Sequence, residues 1–177
     1  MSDEGASPRE LLLEACRRNN TELLSEVIKS QSSAERTAQL LNTATDGVGN
    51  YCLHIAASYG SYEVLDTLLD QEGLEVDPLD RLEADSPLHK AVRFVNGLPK
   101  PDWEAGGSLI ELLLDAGADP RIRNKAKLKP MELVDPRNTE LRGVLQKGEF
   151  AMMAGDDVVD GDGGEEDGAT GSASDSE

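Results

Sequence analysis

The sequence predicts an all-α solenoid of about four helix–turn–helix units, the terminal two degenerate caps. Three observations carry that fold class. Cys52-Leu53-His54-Ile55-Ala56-Ala57 is echoed 35 residues later by Pro87-Leu88-His89-Lys90-Ala91-Val92, and the chain's two histidines fill the same slot of the phrase. Apolar quartets spaced i, i+1, i+4, i+5 recur as Leu23/Leu24/Val27/Ile28, Val64/Leu65/Leu68/Leu69 and Leu109/Ile110/Leu113/Leu114, a spacing that paints one helix face. A shorter apolar helix precedes each quartet. One such unit cannot bury its apolar face alone, so neighbours must stack.

The elements follow from these anchors. Residues 1–7 are expected to be disordered. In the first unit Ala15 stands eight residues before Leu23, as Ala56 does before Val64. Leu12 then matches Leu53, Cys16 matches Ala57, and Asn19 matches Gly60. Asn19 and Gly60 both suit the left-handed turn that ends a helix. This unit lacks a leading turn, as an N-terminal cap would. Residues 31–45 form a longer link, and Leu40 and Leu41 suggest an extra short helix there. Unit two opens at Asn50-Tyr51. Unit three opens at Asp85-Ser86-Pro87, where Ser86 can cap and Pro87 takes the first helical position, in which its missing N–H costs nothing. Ala91 to Leu109 spans 18 residues where Ala56 to Val64 spans 8. The surplus falls at about 96–107, whose Pro and Gly content predicts a non-helical insertion. In unit four Pro136 cuts the first helix short, and Glu140/Leu141/Val144/Leu145 is a weakened quartet. The repeat domain is therefore expected over 8–150, followed by an acidic disordered tail at 151–177, which has little to bury.

Ser86-Pro87-Leu88-His89-Lys90-Ala91 comes close to the signature Thr-Pro-Leu-His-x-Ala, and unit three closes in Leu112-Leu113-Leu114-Asp115-Ala116-Gly117-Ala118-Asp119-Pro120. On these residues the chain resembles the ankyrin-repeat family over roughly 8–147, and with its acidic tail it is similar to small fungal-type members. Unit two departs from the pattern, having Tyr51-Cys52 where Thr-Pro is usual. The resemblance implies that His54 and His89 brace the turns through backbone hydrogen bonds. It also implies non-catalytic recognition of another protein by the concave face of turns and first helices. The candidates on that face are Asn50, Tyr51, Ile55 and Ser58, then Glu83, Asp85, Lys90 and Arg93, and Lys127 and Lys129 in the last turn. The implied role is an adaptor or assembly factor, including a chaperone for a basic client; some proteins of this layout escort basic ribosomal proteins. The alternative is a regulatory inhibitor subunit that masks a surface of an enzyme or transcription factor.

Charge narrows the partners. The formal net charge is −18, and ten acids but no Lys or Arg follow Gly148, which leaves −8 on residues 1–147. Direct nucleic-acid binding needs a cationic face and is disfavoured. Cys16 and Cys52 lie in apolar helical patterns, as reduced buried thiols do. Met1-Ser2-Asp3-Glu4-Gly5 has neither the basic start nor the apolar run of a signal peptide, and no stretch approaches a membrane span. A monomer in cytosol or nucleus is expected. Zinc-type ligand spacing and a Gly-rich phosphate loop are both missing, so neither a metal, a cofactor nor an enzyme is expected.

Three features keep two or more readings. Trp103, the only Trp, either packs on the third helix pair or is an exposed anchor, as Trp often is at interface hot spots. The run Arg121-Ile122-Arg123-Asn124-Lys125-Ala126-Lys127-Leu128-Lys129 is a solvated turn, a site for an acidic partner, or a dock for the chain's own tail. The tail is a solubilising appendage, an arm that engages a basic client or screens the groove, or a phosphorylation segment at Ser172, Ser174 and Ser176. Of the tyrosines, Tyr51 should reach the groove, while Tyr59 and Tyr62 should lie near the helix–helix loop.

Overall fold

Ser7 sets the first helix. Its hydroxyl accepts the Glu10 N–H at 3.2 Å while the Glu10 carboxylate accepts the Ser7 N–H at 3.0 Å, a reciprocal cap that satisfies two otherwise orphaned donors. Helix α1 (Pro8–Arg18) ends at Asn19 with φ 53°. Asn19 then reaches across the stack, accepting the Val64 N–H at 3.0 Å and donating to Glu63 at 2.7 Å. The computed structural model describes residues 5–161, with side chains through Gly155. After α1 come α2 (Thr21–Lys29), capped by Asn20, and α3 (Ala34–Thr43), capped by Ser33. The pairs α4 (Cys52–Ser58) with α5 (Tyr62–Leu69), α6 (Pro87–Asn96) with α7 (Trp103–Asp115), and α8 (Pro130–Leu133) with α9 (Thr139–Gly161) follow.

Helices α1, α4, α6 and α8 stack as an inner row, and α2, α5, α7 and α9 stack behind them as an outer row. Between the rows runs one continuous core in which Leu12, Leu53, Leu65, Leu88, Ile110, Leu113 and Leu145 are fully enclosed. Small residues in the inner row, Ala15, Ala56 and Ala91, are also fully buried and let these helices approach closely. The extra helix expected near Leu40 is α3, which buries Leu41. Gly60 turns the chain with φ 66°, as Asn19 does.

Two boundaries differ from the sequence reading. The 96–107 insertion is broken only at 97–102, where a 3-10 turn spans Lys100–Asp102, and α7 begins at Trp103 and runs through Ala105, Gly106 and Gly107. A helical glycine costs only about 1 kcal/mol relative to alanine, and the buried Trp103 indole, held by the Leu98 carbonyl, offsets it. Gly106 is also closely approached, because a Cβ there would lie 2.7 Å from Leu98 Cδ1 and 3.1 Å from Val95 Cγ2 and would push the Leu98 tip aside. The other correction concerns the tail. Helix α9 continues through Gly161, so 151–161 is helical rather than disordered. Ala151-Met152-Met153-Ala154 are good helix formers and nothing between them stops the helix. Residues 162–177, with the three tail serines, lie outside the described residues.

Candidate protein-binding surface

Three fingers project between the units, at 45–51, 80–86 and 124–129, and each is tied by one polar side chain at its base. Asp46 accepts the Val48 and Asn50 N–H groups at 3.0 and 2.9 Å, and burial, which would raise its carboxyl, is outweighed by these bonds. Asn124 does the same for Ala126 and Leu128 at 3.0 and 3.1 Å, and Asp80 for Glu83 and Asp85 at 3.3 and 2.7 Å. The second finger is one residue longer between this anchor and its helix cap. Two residues before each cap stands a left-handed residue: Gly49 (φ 91°), Ala84 (φ 55°) and Lys127 (φ 67°).

Each histidine joins two fingers. The Tyr51 N–H donates to His54 Nδ1 at 3.1 Å, and His54 Nε2 meets the Asp85 carbonyl at 2.8 Å. His89 repeats this, accepting the Ser86 N–H at Nδ1 (3.0 Å) and meeting the Leu128 carbonyl from Nε2 (2.8 Å). Since Nδ1 accepts, the proton sits on Nε2 and the ring is neutral. Burial pushes both pKa values below the usual histidine value. In the fourth unit Glu132 takes this slot and accepts the Lys129 N–H at 2.8 Å, capping its own helix with no further finger to hold. The fingers also touch laterally: the Lys125 N–H donates to the Glu83 carbonyl at 2.8 Å, and Arg81 donates to the Gly47 carbonyl at 3.1 Å.

Asp85 is the electrostatic centre of the inner row. Fully buried, it accepts Arg93 Nε at 2.8 Å and Asn124 Nδ2 at 2.9 Å, with Lys90 Nζ at 3.5 Å. Burial alone would raise its carboxyl, but the Arg93 and Asn124 hydrogen bonds outweigh that and hold it below the usual value. Lys90 also pairs with Asp80 at 3.2 Å and Glu83 at 3.0 Å.

This geometry sorts the sequence candidates. Glu83, Asp85, Lys90 and Arg93 come together, chiefly to satisfy one another, with Glu83 and Arg93 keeping exposed outer faces. Ser58 and Lys127 are exposed, and Asn50, Tyr51 and Lys129 are half-buried. Asn50 Oδ1 is buried with no hydrogen-bond partner among the described residues. Ile55 lies in the core and presents nothing. Trp103 is 8% exposed, its Nε1 donates to the Leu98 carbonyl at 3.1 Å, and Arg137 lies over its ring. It pins the 97–102 break and is not an exposed anchor. Tyr59 and Tyr62 are exposed beside the helix–helix turn. The cationic run is largely committed: Arg121 to Asp119 at 2.9 Å, Arg123 to Glu132 at 3.3 Å, Lys125 to the Arg81 carbonyl at 2.9 Å, and Lys129 to Glu149 at 2.8 Å. Sequence reasoning missed the apolar tips, Val48 on the first finger and Leu79 and Leu82 at the second, all substantially exposed. Their only signal is an apolar residue in a turn-rich segment outside any helical stripe.

A family model of ankyrin repeats matches residues 12–124 in three copies. The chain is an ankyrin-repeat protein. It is 41% identical over 169 residues to an ankyrin repeat-containing protein of Saccharomyces cerevisiae, covering 92% of this chain and 91% of that relative. Ankyrin repeats form a protein–protein interaction module, a generally non-catalytic fold, and the fungal-type resemblance agrees with the yeast relative. Among the described residues no helix is long and apolar enough to cross a membrane.

Proposed function

We propose that this ankyrin-repeat protein is a non-catalytic adaptor or assembly factor that engages a basic client protein, as a chaperone would, using the finger face together with its acidic C-terminal segment. One observation carries the reading. Three of the five cations that a self-docked acidic tail would need are already paired, Arg121 with Asp119, Arg123 with Glu132 and Lys129 with Glu149, while nine further acids follow Glu149. Negative charge is therefore in excess and suited to a cationic partner. The two free, buried thiols fit a reducing compartment such as cytosol or nucleus, where the chain would act as a monomer.

The reading is tested by affinity purification with mass spectrometry, followed by reconstitution with the recovered protein over a salt series. A basic partner released between low and moderate salt is the expected result, since screening falls to a length of about 8 Å at physiological ionic strength. The exposed tips Val48, Leu79 and Leu82 favour a second reading, an inhibitor subunit bound by apolar burial. In that case the complex survives high salt, and Leu82→Asp abolishes it.

A further inference from the structure

On the outer row, away from the fingers, α7 and α9 enclose a long groove. Two adjoining cavities of ≈ 300 Å³ and ≈ 460 Å³ share Glu111 and Val144 in their walls and lie along this groove. Leu114, Leu141, Val144 and Met152 supply its apolar lining, which is greatest toward Leu114 and Met152, and Trp103 lines the opposite end. Its rim is acidic. Glu104, Glu111 and Asp115 stand seven and four residues apart on α7, which keeps them along one face, and Glu140 faces them from α9. Lys147 is the one cation among the lining residues, and Arg137 beside Trp103 is paired with Asp135 at 2.9 Å. None of the four rim carboxylates takes part in an ion pair among the described residues.

The channel has room. A Cβ built on Gly107, in the α7 wall, meets nothing within 4 Å. From Glu104 to Asp115 the helix rises about 17 Å, or roughly three turns. An apolar floor with like charges along both sides is complementary to an amphipathic helix that carries Leu-type residues on one stripe and Lys or Arg beside it. The chain's own residues after Gly161 are unsuited to it, because they carry Asp162, Glu165, Glu166 and Asp167 and no cation. A second copy would bring the same net charge of −18.

We propose that the α7–α9 groove is a second docking site, separate from the finger face, and that it takes a cationic amphipathic helix of a partner protein. The proposal rests on the basic-client reading and states where one segment of such a client sits.

Trp103 supplies the readout. The full chain is titrated with a synthetic Leu/Lys amphipathic peptide about 14 residues long, following Trp103 fluorescence and backbone amide shifts. Saturable binding with shifts along α7 and α9 is expected. Gly107→Leu plugs the channel without a clash and raises helix propensity. It should weaken binding by about tenfold or more with no fall in melting temperature, and Glu111→Lys should do the same by charge reversal. A Gly/Lys peptide of equal charge should bind at least about tenfold more weakly, because it lacks the apolar stripe. If neither substitution changes the affinity and the shifts fall on 156–177 or on the fingers, the groove is not the site, while the basic-client reading stands. Self-association of the wild type that Gly107→Leu abolishes would assign the groove to a second copy and overturn the proposal. If purification yields only acidic or neutral partners while the peptide still seats in the groove, the site stands and the basic-client reading falls.

Discussion

Protonating His54 or His89 would remove the acceptor for a helix-cap N–H and bring two donors face to face. Both rings have pKa values lowered by burial, so the unfolded chain takes up the proton first. Their contribution is complete above the ordinary histidine value of 6.5 and is lost as pH falls through 6.5 toward the lower folded values. Each can contribute up to about 1.4 kcal/mol per pH unit in that window. The lowered Asp85 carboxyl acts in a separate range: its stabilisation is full above 3.8 and is lost as pH drops through its depressed folded value. Denaturant melts between pH 7.5 and 5 should therefore show a loss of stability that His89→Gln roughly halves. His89→Ala should cost about 1–3 kcal/mol at pH 7.5 by leaving the Ser86 N–H and the Leu128 carbonyl unpaired; an unchanged melt would remove the clasp from the account. Backbone strain gives a second check. Lys127 holds φ 67° with its side chain exposed, so Lys127→Gly should raise stability by about 0.5–1 kcal/mol once glycine's extra unfolded-state freedom is discounted. Gly49→Ala should do the opposite, because a Cβ there would lie 2.5 Å from Arg81 Cβ.

Helix α7 separates local propensity from packing. Gly106→Ala improves propensity yet must displace Leu98, whose Cδ1 would lie 2.7 Å away, and should destabilise by about 1 kcal/mol or more. Gly107→Ala points into open space and should stabilise by about 0.5–1 kcal/mol. Thermal melts of the pair decide whether close approach or propensity governs this helix. The same residues explain what could be read in advance. The histidine clasps and the left-handed Asn19 and Gly60 were legible because the phrase repeats, and a repeat fixes phase. The helical start at Trp103 was not, because Ala105-Gly106-Gly107 looks like a breaker unless one knows that Leu98 and Val95 lie against Gly106. Nor was the helical course of 151–161, where acidic composition masks an Ala/Met run. Finger anchoring by Asp46, Asp80 and Asn124 escaped notice because the middle finger has one extra residue and the anchors fall out of register. Among the binding candidates, phase placed Lys90 and Arg93 beside the fingers but could not show that Asp80, Glu83 and Asp85 would occupy them.

Across the whole molecule, charge and packing are segregated. The inner row commits its charges to itself around Asp85, whereas the carboxylates along the α7–α9 rim take part in no ion pair among the described residues. Truncation after Met153 removes seven of the acids that follow Gly148 by deleting residues up to Asp167, and two more at Asp175 and Glu177. Its cost to folding should be small, because Phe150 and Met153 are already exposed at 71% and 50% and no buried residue follows them among the described side chains. Circular dichroism should show a modest loss of helix from 154–161 with the cooperative transition preserved; a collapse of the transition would mean that the segment packs on the repeats.

Glu132 has a consequence for how long the array can be. Its carboxylate satisfies the Lys129 cap as the histidines satisfy theirs, but it has no outward N–H to offer a successor. A unit grafted after α9 would find no hand extended to its finger, whereas one spliced between units two and three would meet His54 on one side and supply its own histidine on the other. A duplicated unit should therefore be tolerated better in the interior than after α9, where the Glu132 carboxylate offers no N–H to a following finger.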